Sequence, residues 1–164
     1  MYLNCKTNFS FRYGTLTAEE LVVAGVDLGV SSMALTNINS TCDTWDFVQS
    51  CIHHGIKPVV GVEIRNGHRL LYILIAVNNK GFASINQFLS IHLHQQILFP
   101  ETPGSESSFL DPADVFIIYD LDRKKPQELH ANEYIGIAPW ELNKLYGSKR
   151  DDSYAGVSGK RICW

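Results

Sequence analysis

The sequence predicts an α/β fold, either a barrel or an open sheet, with mostly parallel strands and one antiparallel hairpin near Asn66-Gly67. Three observations carry that prediction. Short apolar runs alternate with helix-period segments from the start of the chain to Glu63, the pattern of parallel βαβ units. Asn66-Gly67 then falls between two apolar β-type runs, which is the strongest short-range hairpin signal. Three further strand-like runs follow at 115–119, 133–138 and 161–164.

Taken in order, residues 2–8 alternate weakly and read as a first strand. Thr17-Ala18-Glu19-Glu20 is a capping box, and the helix behind it places Leu21, Ala24, Val26 and Leu28 on an apolar face before Gly29. Residues 32–36 (SMALT) read as a buried strand and 37–41 as a polar loop. Residues 43–53 read as a helix, with Phe47, Val48, Cys51 and Ile52 at core spacing and Gly55 as its stop. Residues 57–63 form the third strand, and 70–77 should pair antiparallel with it. Residues 80–96 read as a helix, with Phe82, Ile85, Phe88, Leu89 and His92 on one side. Residues 99–113 contain three prolines and read as an exposed loop. Pro139 suits a first helical turn continued by 140–146, residues 149–159 read as loop, and 161–164 as the start of another strand. These strands are too few to close a barrel, and an incomplete barrel exposes an edge. We therefore expect one domain over 1–164 that is the N-terminal piece of a longer chain.

The 164 residues are 45% apolar and 19% charged, an ordinary globular balance. A net charge of −3 argues against a domain whose main task is gripping phosphate backbones. Arg123, Lys124 and Lys125 make a local basic run, read most simply as a charged turn. Cys5, Cys42, Cys51 and Cys163 have irregular spacing without a C-x-x-C pair, which suits reduced thiols. The first ten residues lack a signal-peptide pattern, and the longest apolar stretch, 70–77, is far too short to span a bilayer. A cytoplasmic location without membrane contact is the expectation.

Several segments resemble the PHP (polymerase and histidinol phosphatase) domain at the start of bacterial DNA polymerase III alpha subunits. They are Tyr2-Leu3-Asn4-Cys5-Lys6-Thr7, the run from Tyr13 to Leu21 (YGTLTAEEL), Ala34-Leu35-Thr36-Asn37-Ile38-Asn39, and the run from Gly55 to Glu63 (GIKPVVGVE). The last is the most specific, and Ala76 to Phe82 (AVNNKGF) matches the family's step into a helix. The match is good over roughly the first hundred residues and weaker beyond, where 133–145 looks like a family strand leading into P-x-E-L. The resemblance implies a partial, distorted seven-stranded α/β barrel with metal ligands at strand ends. Metal-containing members hydrolyse phosphoesters, and some polymerase PHP domains act as 3′–5′ exonucleases. Others have lost the ligands and serve as a platform or as a docking surface for a proofreading subunit.

Carried over residue by residue, the resemblance points to a vestigial site at Asn4, Lys6, Asn37 and Glu63. Asn4-Cys5-Lys6 stands where the family has H-x-H, and a protonated Lys offers donors and no acceptor to a metal. Asn37 replaces an Asp, Ile38 an adjacent His, and Leu71 a His at the start of the fourth strand, with His68 near but out of register. Glu63 alone survives of the first-half ligands. Phosphoester hydrolysis by this family needs clustered imidazoles and carboxylates around divalent ions. No catalytic residue and no bound metal are therefore expected. The ammonium of Lys6 can stand in for a lost cation and pair with Glu63; the plainer alternative sends both side chains into solvent.

Other candidates have plainer explanations. His92 and His94, two apart on a helix, point to different sides. His53-His54 suits a helix C-terminus. Cys5 and Cys42 read as buried neutral thiols. Asp120-Leu121-Asp122 reads as a charged turn and Asp151-Asp152 as a solvated tip. No glycine-rich phosphate cradle, G-x-S-x-G motif or aromatic–basic nucleic-acid surface stands out. The leading expectation is a non-catalytic PHP domain of a polymerase that is itself a nucleotidyltransferase. Its partners would be the rest of the polymerase chain, a proofreading exonuclease subunit, and DNA only through the parent enzyme. The competing expectation is a metal-dependent phosphoesterase or 3′–5′ exonuclease using divalent metal. A third is a stand-alone PHP-like protein.

Overall fold

The computed structural model describes residues 2–103, 110–121, 123–141 and 161–163. Seven strands form one sheet in sequence order: β1 (Tyr2–Cys5), β2 (Ser32–Leu35), β3 (Lys57–Asn66), β4 (Arg69–Ala76), β5 (Val115–Tyr119), β6 (Glu133–Ile137) and β7 (Arg161–Cys163). Among the described residues three α-helices lie between them: α1 (Ala18–Asp27), α2 (Thr44–His53) and α3 (Asn79–His94). The pairs β1–β2, β2–β3, β5–β6 and β6–β7 are parallel. β4 runs against both of its neighbours. The reversal begins at the expected hairpin, where Gly67 takes φ +59°, a left-handed value glycine adopts without penalty. The sequence signalled this hairpin; the second antiparallel pairing, β4 with β5, follows from it.

The helices cover one face of the sheet. Met33 and Leu35 of β2 pack there with Ala18 and Val22 of α1 and with Phe47 and Cys51 of α2. Val62, Ile64, Tyr72 and Leu74 pack there with Ile85, Phe88 and Leu89 of α3. The other face carries Leu3, Ala34, Ile73, Ile75 and Ile118, joined by the half-buried Val59, Leu70 and Tyr134. Two irregularities adjust this alternation. In β1, Tyr2 aligns with Met33 and Cys5 with Leu35, so both Leu3 and Asn4 lie opposite Ala34. In β4, a second shift next to Arg65 leaves Leu70 on the helix-free face and Leu71 among the α3 contacts.

The capping box of α1 forms as read, with the Thr17 side chain accepting from the Glu20 N–H and the Glu20 carboxylate from the Thr17 N–H. Some core assignments need correction. The inward stripe of α1 is Ala18, Val22 and Gly25, so Val26, one residue further round the helix, is exposed, and so is Leu28 at the end. Ile52 is exposed because the α2 stripe runs through Phe47 and Cys51. The expected exposed loop at 99–113 is anchored instead, with Phe99 and Leu110 buried against α3. Phe99 lies beside Phe88 and stacks on His92, with ring centroids 5.7 and 5.0 Å apart. Residues Pro139–Glu141 form a 3-10 turn; positions 142–146 of the expected helix and the loop at 149–159 lie outside the described residues. No described helix is long and apolar enough to cross a membrane.

Candidate functional site: a buried carboxylate held by two cations

The site begins with strand ends. Beyond β2 the chain keeps running beside β3: Glu63 N–H donates to the Asn37 carbonyl at 3.1 Å, and Asn39 N–H to the Glu63 carbonyl at 2.8 Å. The Asn39 side chain then grips the backbone of Arg65, accepting from its N–H at 2.8 Å and donating to its carbonyl at 2.9 Å. Glu63 and Arg65, two apart on a strand, therefore share a face. The bulge in β1 turns Asn4 to that same side.

Glu63 is only 1% exposed, and its carboxylate meets two cations. Lys6 Nζ lies 2.9 Å from Oε2, and Arg65 Nε donates to Oε1. Asn4 Nδ2 donates to Oε2 at 3.1 Å. Asn4 Oδ1 in turn accepts from Lys6 Nζ and from the Thr36 hydroxyl, both at 2.7 Å. The Arg65 guanidinium is fixed from outside by donating to the Tyr13 hydroxyl at 2.9 Å and the His68 carbonyl at 3.0 Å, and it lies 4.5 Å from the centre of the Tyr13 ring. A buried carboxylate without such partners would be strongly disfavoured.

The expected pairing of Lys6 with Glu63 is thus present, and Asn4 joins it. Asn37 does not contribute its side chain. Its Oδ1 accepts from the Thr7 N–H at 2.9 Å and the Ser10 hydroxyl at 2.8 Å, while its Nδ2 donates to Thr7 Oγ1 and to the Cys42 carbonyl. Asn37 therefore organises the loop after β1 and reaches Glu63 through backbone alone. Leu71 is buried on the α3 side, away from the carboxylate, and His68 is exposed in the hairpin turn with its carbonyl on Arg65. Arg65 was not foreseen, although Glu63-Ile64-Arg65 at strand spacing was a readable signal. A second cluster had no signal at all. Buried Glu133 accepts from Lys124 Nζ at 2.6 Å, the Tyr119 hydroxyl at 2.8 Å and the His130 N–H at 2.7 Å. Burial pushes the Glu133 carboxyl up, but these donors outweigh it and hold the carboxyl below its usual range.

The remaining candidates fall where ordinary packing puts them. Burial lifts the Cys5 thiol to about 11 against the pull of Lys6, and burial lifts Cys51 to about 11 as well. Cys42 is exposed, which corrects its reading as a buried thiol. His92 and His94 lie in the last turn of α3, with His92 Nδ1 2.8 Å from the Phe88 carbonyl. His53 closes α2, and His54 follows it as the cap. Asp120 accepts from the Leu121 N–H. Arg123 pairs with Glu101 and Lys124 with Glu133, so two members of the basic run are engaged with acids. Asp122, Asp151 and Asp152 lie outside the described residues.

This donor set does not fit a divalent ion. Lys6 and Arg65 offer only N–H donors, and they already hold the carboxylate that would be a ligand. Among the described residues no group of three or more His, Cys, Asp or Glu gathers anywhere. An apolar cavity of about 1080 Å³ borders Leu3, Val59, Ile75, Ile118 and Tyr134, but Asn4, Lys6, Asn37 and Glu63 do not line it.

A sheet in sequence order with α1, α2 and α3 on one face, and a polar cluster where parallel strands end, defines an open-barrel α/β domain. Its family is shown by sequence: the chain belongs to the PHP domain family, whose model matches residues 3–122. Among its relatives are the DNA polymerase III subunit alpha of Pseudomonas aeruginosa, 27% identical over 96 residues, and the error-prone DNA polymerase of Symbiobacterium thermophilum, 28% identical over 122 residues. These matches cover 55% and 69% of this chain but only 8% and 11% of the two polymerases. The chain thus spans about a tenth of the length of the curated relatives it matches. Solved structures that resemble it include a candidate metal-dependent phosphoesterase from Bifidobacterium adolescentis, 13% identical over 92% of this chain and 74% of the other, with a TM-score of 0.49. Another is an amidohydrolase from Chromobacterium violaceum, 17% identical over 58% of this chain and 34% of the other, with a TM-score of 0.47.

Proposed function

We propose that this chain is a non-catalytic PHP domain of a protein related to DNA polymerase III alpha, serving as a structural or protein-interaction platform. The observation that carries the reading is the occupation of Glu63 by Lys6 and Arg65. The charge that a metal would offset is offset by side chains of the chain itself. The similarity to polymerase PHP regions supports the setting, in which nucleotidyl transfer belongs to the parent enzyme. In that setting the partners are the remainder of a polymerase chain and a proofreading exonuclease subunit, and the location is the cytoplasm.

The test is metal analysis together with hydrolysis. Protein purified in the presence of zinc and manganese, then desalted, should carry well under one equivalent of either metal. It should leave a p-nitrophenyl phosphodiester intact. One or more equivalents of tightly held metal, lost in Glu63→Gln together with hydrolysis, would favour the phosphoesterase reading and overturn this one.

A further inference from the structure

The sheet has an opening that its strand pairing explains. The β3–β4 ladder stops at Gly61–Ile75, so Lys57, Pro58, Val59 and Val60 pair with β2 alone. The apolar cavity of about 1080 Å³ lies beside this free edge, and Val59 and Val60 both line it. Consecutive strand residues face opposite ways, so the cavity reaches round the edge from the inner face to the helix side. Ile75 and Ile118 border it on the inner face, and Val48 of α2 and Phe82 of α3 on the other. A cavity of this size, lined mostly by apolar side chains, has room for a small organic molecule.

One polar group in its wall lacks a partner. Asp43 lines the cavity and stands just before the first turn of α2. An Asp at that position ordinarily caps the helix by accepting from a backbone N–H, yet this side chain makes no capping bond. Its backbone sits at φ +70°, in the left-handed region. Its Oδ2 is buried without a hydrogen-bond partner. The other buried side-chain atom in that condition among the described residues, the Ser50 hydroxyl, lies within α2 and does not line the cavity. A carboxylate oxygen shut away from water is strongly disfavoured unless a donor meets it.

Charge and rings together select the ligand. Trp45, two residues beyond Asp43, is 72% exposed and lines the cavity with Phe116 and Tyr134, whose rings meet edge to face at 5.5 Å. The faces of such rings attract cations. Lys57 also lines the cavity, but it is exposed to water, and no ion pair joins it to Asp43. The buried oxygen is therefore the group that a ligand must answer. We propose that the cavity binds a small organic cation, an apolar body carrying a protonated amine that donates to Asp43 Oδ2. This goes beyond the proposed function and does not depend on it, because neither a metal nor the Glu63 cluster takes part.

The experiment is isothermal titration calorimetry of the full chain with decylamine, decanol and decanoate, which share one apolar body, each below its micelle concentration. The wild type should bind decylamine about tenfold more tightly than decanol, and decanoate more weakly still. Asp43→Asn, shown folded by circular dichroism, should lose most of that preference and bind decanol as the wild type does. Asp46→Asn, which neutralises an exposed carboxylate of the same helix that does not line the cavity, should bind all three probes as the wild type does. Absence of binding by the wild type would overturn the proposal, and so would equal affinity for decylamine and decanol. Tightest binding of decanoate would overturn it in favour of Lys57 as the recognising group. An amine preference that survives in folded Asp43→Asn would overturn it too. The comparison of head groups on the wild type decides the matter even where Asp43→Asn fails to fold.

Discussion

Two of the buried carboxylates among the described residues, Glu63 and Glu133, are held differently. Glu63 is held mainly by cations from its surroundings, Lys6 across the sheet and Arg65 two residues on, with Asn4, 59 residues away in sequence, adding an amide. Glu133 is held locally by a backbone N–H three residues away, a lysine nine away and a tyrosine fourteen away. The local arrangement is an ordinary structural pin in which mixed donors share the charge. The other, at Glu63, is dominated by full positive charges. The contrast teaches that a buried carboxylate can be balanced either by full charges brought from distant strands or by mixed donors from nearby in the sequence.

The largest effect should come from Glu63→Gln, which leaves Lys6 and Arg65 facing a neutral amide in a mostly buried site. Urea unfolding should show a loss of about 3 kcal/mol. Lys6→Met should cost less, about 2 kcal/mol, because Arg65 still balances the carboxylate. Equal losses in these two variants would mean that Arg65 contributes nothing to the balance. Tyr119→Phe removes one of three donors from Glu133 and should cost about 1 kcal/mol. The acid response should separate Glu133 from a carboxylate that folding leaves unperturbed. Its folded value lies below the ordinary 4.5, so its stabilisation is full above pH 4.5 and is lost as pH falls through the lowered value. The stability gap between wild type and Glu133→Gln should therefore narrow in acid unfolding series below pH 4.5. A gap independent of pH would remove the assigned effect of these donors.

How much of this was legible depends on range along the chain. The capping box at Thr17, the hairpin at Asn66-Gly67 and the core of α3 are local patterns, and the structure contains each of them. The GIKPVVGVE run placed Glu63 at a strand position by resemblance. The exposure of Val26 and Ile52 was missed because several helical faces are apolar enough to pass for the buried one, and only the neighbouring strands choose. The β1 bulge and the anchoring of Phe99 are also invisible from spacing, because each is set by a distant partner. Asn37 was read as a vacated ligand, yet its amide ties down a loop, a role open to any residue with both an acceptor and donors.

The reversed strand β4 has a consequence for the order in which the domain assembles. Its ladder with β3 closes through a turn at Gly67, so the chain needs almost no loop entropy to start it. The contact between Asn4 and Glu63 must instead draw together segments separated by a helix, a strand and another helix. The hairpin is therefore suited to nucleate folding, and the cationic seal over Glu63 to form late. Mutations at Lys6 should then speed unfolding while leaving the refolding rate nearly unchanged, whereas disruption of the hairpin should slow refolding.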